Sequence, residues 1–516
     1  MRQLLLAGFL GLFSAAVLAN TPRPNIVVIM SDDHAVKAVS AYDDSLMQTP
    51  NIDRIANQGM KFNRAYVANA ICGPSRATLL TGAHSHKNGF YSNEWSGPFD
   101  GHQVTLPKLL KQAGYHTSVI GKWHLYSDPV GFDHWEVIDN MMEQGSYYNP
   151  HFRSAEGIEK STGYVADLIT DKSIDWLASV KGSHEPFLLI YNHKSPHRDW
   201  LPGPEELATW DENLKVEEPD TLLRDMKGEV SARRSARMDI ETYMTDLDVK
   251  LSKPMERLTP EQEALWEKAF TAGNKDFEAQ ELSREDEIRW KYQRYIKTYM
   301  GSVKSMDRQI GRLLDYLDEQ QLTENTLIIY TSDQGFFLGE NGWFDKRWID
   351  DISARVPLLI QWPGKIKPGS ESDSLVQNID FAPTLLNAAG VKSVPSMQGQ
   401  NMMPLLQGEE WQRDLYYHFY ENPGFHGVER HYGIIDKRYK LVHYYRANEW
   451  ELFDLQADPA EQHNIYGQAA FADIQHDLEQ RLIALRKQYQ VPETDPEAPW
   501  YHSAWVWMME SLIKLM

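Results

Sequence analysis

Two polar pairs follow apolar runs in this chain. Asp32 and Asp33 follow residues 25–30, and Asp333 and Gln334 follow residues 326–331. Both runs are rich in Ile, Val and Leu and read as buried strands, so both pairs fall at strand carboxyl ends, where loops converge on ligands. Three carboxylates and an amide oxygen form the donor set of a hard divalent cation such as Ca2+, which takes about 6–8 oxygens. No Cys/His cluster has zinc spacing. Either pair alone also suits a helix cap.

A third group is Cys72-Gly73-Pro74-Ser75-Arg76, continued by Ala77-Thr78-Leu79-Leu80-Thr81-Gly82. Pro74 suits the first turn of a helix and Gly82 its end. Cys72 then stands at a helix N-terminus, where free N–H groups and the dipole favour an anion, with Arg76 one turn on. A thiol so placed is expected to be an acidified nucleophile. The alternative is a packed cysteine in an N-terminal turn. Cys72 is the only cysteine, so no internal disulfide can form.

Five apolar runs predict the elements that position these groups: residues 25–30, 117–121, 186–192, 326–331 and 356–361. All five read as parallel strands covered on both faces. Helical patterns alternate with them, one opening at residues 49–53 and one over 106–114. The fold class is therefore α/β, a large mostly parallel central sheet flanked by helices. Residues 204–300 are highly charged and strand-free, and read as a helical insertion over the sheet edge. From about residue 396 the pattern turns to antiparallel strands at 415–420, 433–435, 440–445 and 450–455, then a helix at 471–490. The expected division is 20–395 for the catalytic domain and 396–516 for a smaller α+β subdomain.

The chain has 516 residues, which predicts about three domains. Its net charge of −21 argues against nonspecific nucleic-acid binding, which needs Lys and Arg to neutralise phosphates. An anionic substrate must find a local cationic pocket. Arg2, an apolar run over 4–18 and Val17-Leu18-Ala19 fit a signal peptide cleaved after Ala19. Export to the periplasm or medium is expected, with no membrane attachment after cleavage.

The Cys72–Gly82 block resembles the signature of type I sulfatases, within the alkaline-phosphatase-like superfamily. Residues 25–33, Gly121-Lys122-Trp123-His124, His193-Lys194-Ser195-Pro196-His197, Ser332-Asp333-Gln334-Gly335 with Lys346, and residues 377–385 and 451–464 are similar to further blocks of that family. The resemblance implies that a maturation enzyme, formylglycine-generating or anaerobic, oxidises Cys72 to Cα-formylglycine (3-oxoalanine). Its hydrate would attack sulfur through one hydroxyl and release sulfate after deprotonation of the other. The resemblance also implies Ca2+ held by Asp32, Asp33, Asp333, Gln334 and the modified Cys72. Arg76 would orient the diol, and Lys122 and Lys346 would neutralise sulfate oxygens. His124 would remove the second diol proton, and His197, alone or shared with Lys346, would protonate the leaving alcohol. The chain departs from many relatives at Gln334, where they have Asn, and at Asn341, where they have His.

Residues 193–200 and 336–347 resemble blocks of sulfatases acting on 6-sulfated hexosamine or galactose. The expected partner is a sulfated oligo- or polysaccharide, cut at a chain end. Asp345 and Arg347, flanking Lys346, are candidates for binding sugar hydroxyls; a structural ion pair is the alternative. Trp200, His418, His426 and His431 are further rim candidates. Two other functions fit the same motifs: a phosphonate monoester hydrolase or phosphodiesterase of the superfamily, and a non-catalytic glycan-binding relative.

Overall fold

The computed structural model describes residues 23–139, 144–254 and 257–513. The expected signal peptide, residues 1–19, lies outside the described residues. The large sheet contains β1 (Asn25–Ser31), β2 (Met60–Phe62), β3 (His116–Gly121), β4 (His134–Asp139), β5 (His151–Ser154), β6 (Gly157–Lys160), β7 (Phe187–Asn192), β8 (Thr326–Ser332), β9 (Leu358–Gln361) and β10 (Ser370–Ser372). They lie in the order β10-β2-β9-β8-β1-β7-β3-β4-β5-β6. The central five, β8 to β4 in that order, run parallel.

Residues 356–361 depart from the expected parallel strand. Arg355–Val356 pairs instead with Ala65–Tyr66, Pro357 interrupts the run, and β9 lies antiparallel to β8. Proline offers no N–H for a ladder. The connection from β8 to β9 starts and ends at the same end of the sheet, so the returning strand must run backwards.

Alternation along β1 feeds two cores. Ile26, Val28 and Met30 pack with Ala77, Leu79 and Leu80 of α1 (Cys72–Thr81). Val27 and Ile29 face the other way, against Met306, Ile310 and Leu313 of α2 (Arg284–Glu319). This 36-residue helix runs through residue 300 without a break. Its N-terminal half packs Tyr295 and Tyr299 against Phe336 and Phe344. A four-stranded antiparallel sheet follows, from β11 (Leu415–Phe419) through β12 (His431–Ile435) and β13 (Tyr439–Tyr444) to β14 (Glu449–Asp454). Leu415, Tyr417 and Phe419 join the main core, while Tyr416 faces Leu478, Leu482 and Leu485 of α3 (Ala472–Gln488).

No helix among the described residues is long and apolar enough to cross a membrane. Gly121, the last residue of β3, has φ +106°, and a Cβ there would lie 1.8 Å from the carbonyl oxygen of Asn192. Both the dihedral and the backbone contact exclude a side chain. Gly121→Ala is expected to destabilise the protein by about 2–4 kcal/mol, read as a lower urea midpoint at unchanged slope. An unchanged midpoint would show that this joint tolerates a methyl group.

Candidate active site

Strand register brings the polar pairs together. Ser31 of β1 pairs with Ser332 of β8, so Asp32 and Asp333 leave the sheet side by side. Met30 pairs with Asn192 of β7, which sends out the loop bearing His193 and His197. Gly121 pairs with the same Asn192 and sends out Lys122 and His124. Backbone bonds stitch these loops: Asp333 N–H donates to Ser31 O (3.2 Å), Asp32 N–H to Ser195 O (3.1 Å) and Lys122 N–H to Asn192 O (3.0 Å).

Asp32, Asp33 and Asp333 are fully buried and present oxygens within 4.8 Å of one another. Each is matched by a cation. Lys122 Nζ donates to Asp32. Lys346 Nζ donates to Asp33 Oδ2 at 2.7 Å. Arg76 donates through Nε and Nη2 to Asp333 Oδ2 at 2.9 and 2.7 Å. Burial, against the pull of Lys346, pushes Asp33 up to about 6. Burial and the Asp32 charge push Asp333 up to about 7. At Asp32 burial is outweighed by the charges of Lys122, Arg76 and Lys346, and the carboxyl lies well below its ordinary value.

This oxygen-rich set fits a hard dication. Gln334 completes it: its Nε2 faces Asp33 Oδ1 and Cys72 Sγ, and its Oε1 is buried without a partner. A half-turn of the amide exchanges the two and sets the oxygen among the carboxylates.

Cys72 is the first residue of α1, as its motif requires, and Gly82 ends the helix in a left-handed conformation. Asn93 Oδ1 accepts from Gly73 N–H at 2.9 Å and closes the first turn. The expected acidified thiol is not found. Burial pushes the Cys72 thiol up, and the lysines do not offset it. Complete desolvation outweighs the helix dipole here. The thiol is 3.4 Å from Asp32 Oδ1.

His197 Nδ1 lies 2.6 Å from Arg198 O. A carbonyl only accepts, so Nδ1 carries the proton and Nε2, 3.8 Å from Asp33, presents its lone pair. Burial, then Lys122, keeps both His124 and His197 neutral. Arg198 forms a two-pronged pair with buried Asp248 (2.7 and 2.5 Å), so the segment around residue 248 braces the His197 loop. Gln144 Oε1 accepts from Lys122 Nζ at 2.9 Å, and its amide donates to His124 Nε2 at 3.1 Å.

Asp345, Lys346 and Arg347 form one strained turn, with φ +88° at Asp345 and +93° at Arg347. Lys346 points to Asp33, while Asp345 meets Arg347 and His426, whose Nδ1 is 3.3 Å away. Arg347 continues to Glu421 at 3.5 Å. Glu421 accepts from Ser92 Oγ and Asn93 N–H at 2.7 Å each. The turn is thereby tied back to the helix bearing Cys72.

Three rim candidates are misplaced. Trp200 is fully buried among Tyr295, Phe336 and Phe344. His431 is buried between Trp348 and Tyr417, and its Nε2 accepts from Ile349 N–H. His418 stacks on Tyr420 and meets Tyr416 OH; strand alternation puts it on the face of β11 turned from the main core. Asn341 also lies apart from the carboxylates, accepting from Arg224 and Gln462. Gln144, Asn93, Glu421 and Asp248 were not singled out from the sequence. They are isolated polar residues with no spacing to mark them.

Comparison with known proteins gives the same answer. The sulfatase family profile matches residues 24–391, and the profile for the N-sulphoglucosamine sulphohydrolase C-terminal region matches residues 339–488. An N-acetylglucosamine-6-O-sulfatase of Bacteroides thetaiotaomicron is 44% identical over 498 residues, covering 92% of this chain and 88% of the relative. The human N-acetylglucosamine-6-sulfatase is 28% identical, covering 80% and 70%. A solved structure described as bound to its substrate, D-glucosamine-2-N,6-O-disulfate, superposes with a TM-score of 0.88 at 43% identity, covering 91% of this chain and 99% of that one. The chain belongs to the sulfatase family and is a hydrolase of sulfuric esters.

Proposed function

We propose that the protein removes the 6-O-sulfate from a glucosamine-type residue at the end of a sulfated glycan. The observation that carries this reading is the turn Asp345-Lys346-Arg347. Its central lysine serves the buried carboxylate cluster, its flanking residues offer charged groups beside it, and His426 adds a neutral imidazole. Sulfate and sugar hydroxyls can thus be read from one rigid element. The substrates named for the B. thetaiotaomicron relative and for the sugar-bound structure support the choice of sugar.

Asp32, Asp33, Asp333 and Gln334, with residue 72, are assigned to Ca2+, which when bound supplies Lewis acidity toward oxygen. Residue 72 is assigned to formylglycine, whose hydrate supplies the nucleophilic oxygen that a buried, protonated thiol does not. Cys72 is fully buried, so its maturation enzyme would have to meet it before folding is complete. Residues 1–19 support export to the periplasm or medium.

The remaining steps belong to the surrounding side chains. Arg76 orients residue 72 and holds Asp333. Lys122 and Lys346 neutralise the sulfate oxygens, each worth a few kcal/mol at the transition state. His124 takes the proton lost at residue 72. His197 carries the leaving-group proton at Nε2, because Arg198 O fixes the other nitrogen as a donor. A sulfate monoester restores negative charge to the pocket and raises the proton affinity that burial and Lys122 had lowered.

The direct test is sulfate release from defined sugars, compared with an aryl sulfate and with phosphate esters. Release is expected from 6-O-sulfated glucosamine chain ends and to fall by at least about 10^3-fold in Cys72→Ala. Release from the aryl ester alone would remove the sugar assignment.

A second test uses the carboxylates. Asp33 and Asp333 bind protons more tightly folded (about 6 and 7) than unfolded (about 3.9). The metal-free fold therefore loses stability as pH rises from about 4 to about 7. A dication takes the place of those protons. A fixed Ca2+ concentration a hundredfold above its Kd at pH 8 is expected to add about 2.7 kcal/mol there, and to raise Tm less at pH 5, where protons compete for the carboxylates. Equal rises at both pH values would contradict the assignment.

A further inference from the structure

A cavity of about 940 Å3, lined by none of the three clustered aspartates, lies between the loops that follow β1 and β8 and the C-terminal sheet. Its size lies near the top of the usual range for small-molecule sites, about 300–1,000 Å3. Five cations line it, Lys37, Arg64, Arg355, Lys437 and Arg438, against three acids, Asp43, Glu340 and Asp351. In a chain of net charge −21 this is a local reversal of sign.

Three of the cations are already occupied. Lys37 faces Glu340 at 3.7 Å, Arg438 pairs with Asp454 at 2.7 Å, and Arg64 donates to the carbonyls of Lys437 and Asp436. Asp351, whose carboxyl feels the Arg355 charge, is hydrogen-bonded to Lys440 at 2.7 Å. Arg355 is left without a hydrogen bond or ion pair among the described residues, and its Nε is a buried donor with no acceptor. The Lys437 ammonium likewise has none among them. A buried guanidinium N–H without a partner is costly, and such a group calls for an absent ligand. An anion would satisfy both cations. Phe336, Leu338, Ile352 and Leu455 supply an apolar wall beside these cations, a combination that suits a sugar ring carrying a charged substituent. Phe336 also links the two sites, since Lys346 Nζ lies 5.5 Å from the centre of its ring.

We propose that this cleft is a second binding site, which takes sulfate groups of a glycan segment through Arg355 and Lys437. The choice of a sulfated glycan rests on the proposed function above. The test is isothermal titration of Ca2+-loaded Cys72→Ala protein, with and without Arg355→Gln/Lys437→Gln. The probes are a sulfated glucosamine oligosaccharide, a 6-O-sulfated glucosamine monosaccharide and sodium sulfate. The double substitution is expected to weaken the oligosaccharide about tenfold, the scale of one charge-assisted hydrogen bond, and to leave the monosaccharide unchanged. Lys437→Gln alone, on an exposed turn, is expected to give part of that loss and guards against a folding defect. Equal oligosaccharide affinity in both proteins, a parallel loss for the monosaccharide, or a response to sodium sulfate alone would each overturn the proposal. If the unsubstituted enzyme released no sulfate from either sugar, the functional reading would fail instead.

Discussion

Three fully buried aspartates share one pocket. Transfer of even one carboxylate from water into such a place is expensive, and three within 4.8 Å repel one another. The fold answers with Lys122, Lys346 and Arg76, one for each carboxylate. The arrangement is balanced in charge and still uncomfortable, because burial keeps Asp33 and Asp333 well above their ordinary values. Excess proton affinity at neutral pH is the property that lets a carboxylate cluster exchange protons for a dication, as proposed for this site.

The rest of the architecture follows from keeping those charges in place. Parallel strands β8, β1, β7 and β3 deliver four loops to one end of the sheet, and their register fixes which residues emerge together. Four residues of these loops, Asp33, His124, Asp345 and Arg347, have positive φ. Such conformations persist only when surrounding contacts over-determine them. Arg347 is held by Asp345 and Glu421, and the Arg198–Asp248 pair steadies the neighbouring His197 loop. The long segment between β7 and β8 is thus joined to the candidate site through the brace it places on the His197 loop.

Much of this was legible in the sequence, for a physical reason. Acidic residues directly after apolar strands, and a cysteine just ahead of Pro74 and Arg76, are local signals, and the register that joins them follows from strand pairing. The contacts made across the fold were not legible. Glu421 meets Asn93 over 328 positions, and neither carries a motif. Trp200, His418 and His431 looked like rim residues because aromatic and imidazole groups suit sugars. Packing placed all three against other rings instead, which composition cannot anticipate. The strand at 356–361 was misjudged because apolar character reports burial but not direction. The acidified thiol failed because a helix dipole is a small term beside full desolvation.

The central claim is that the aspartate cluster is occupied by one divalent ion. Native mass spectrometry of the purified enzyme counts such ions directly. One Ca2+ per chain is expected, and none after Asp33→Asn/Asp333→Asn. A metal-free chain with full sulfate release, or equal ion content in the double variant, would contradict the account.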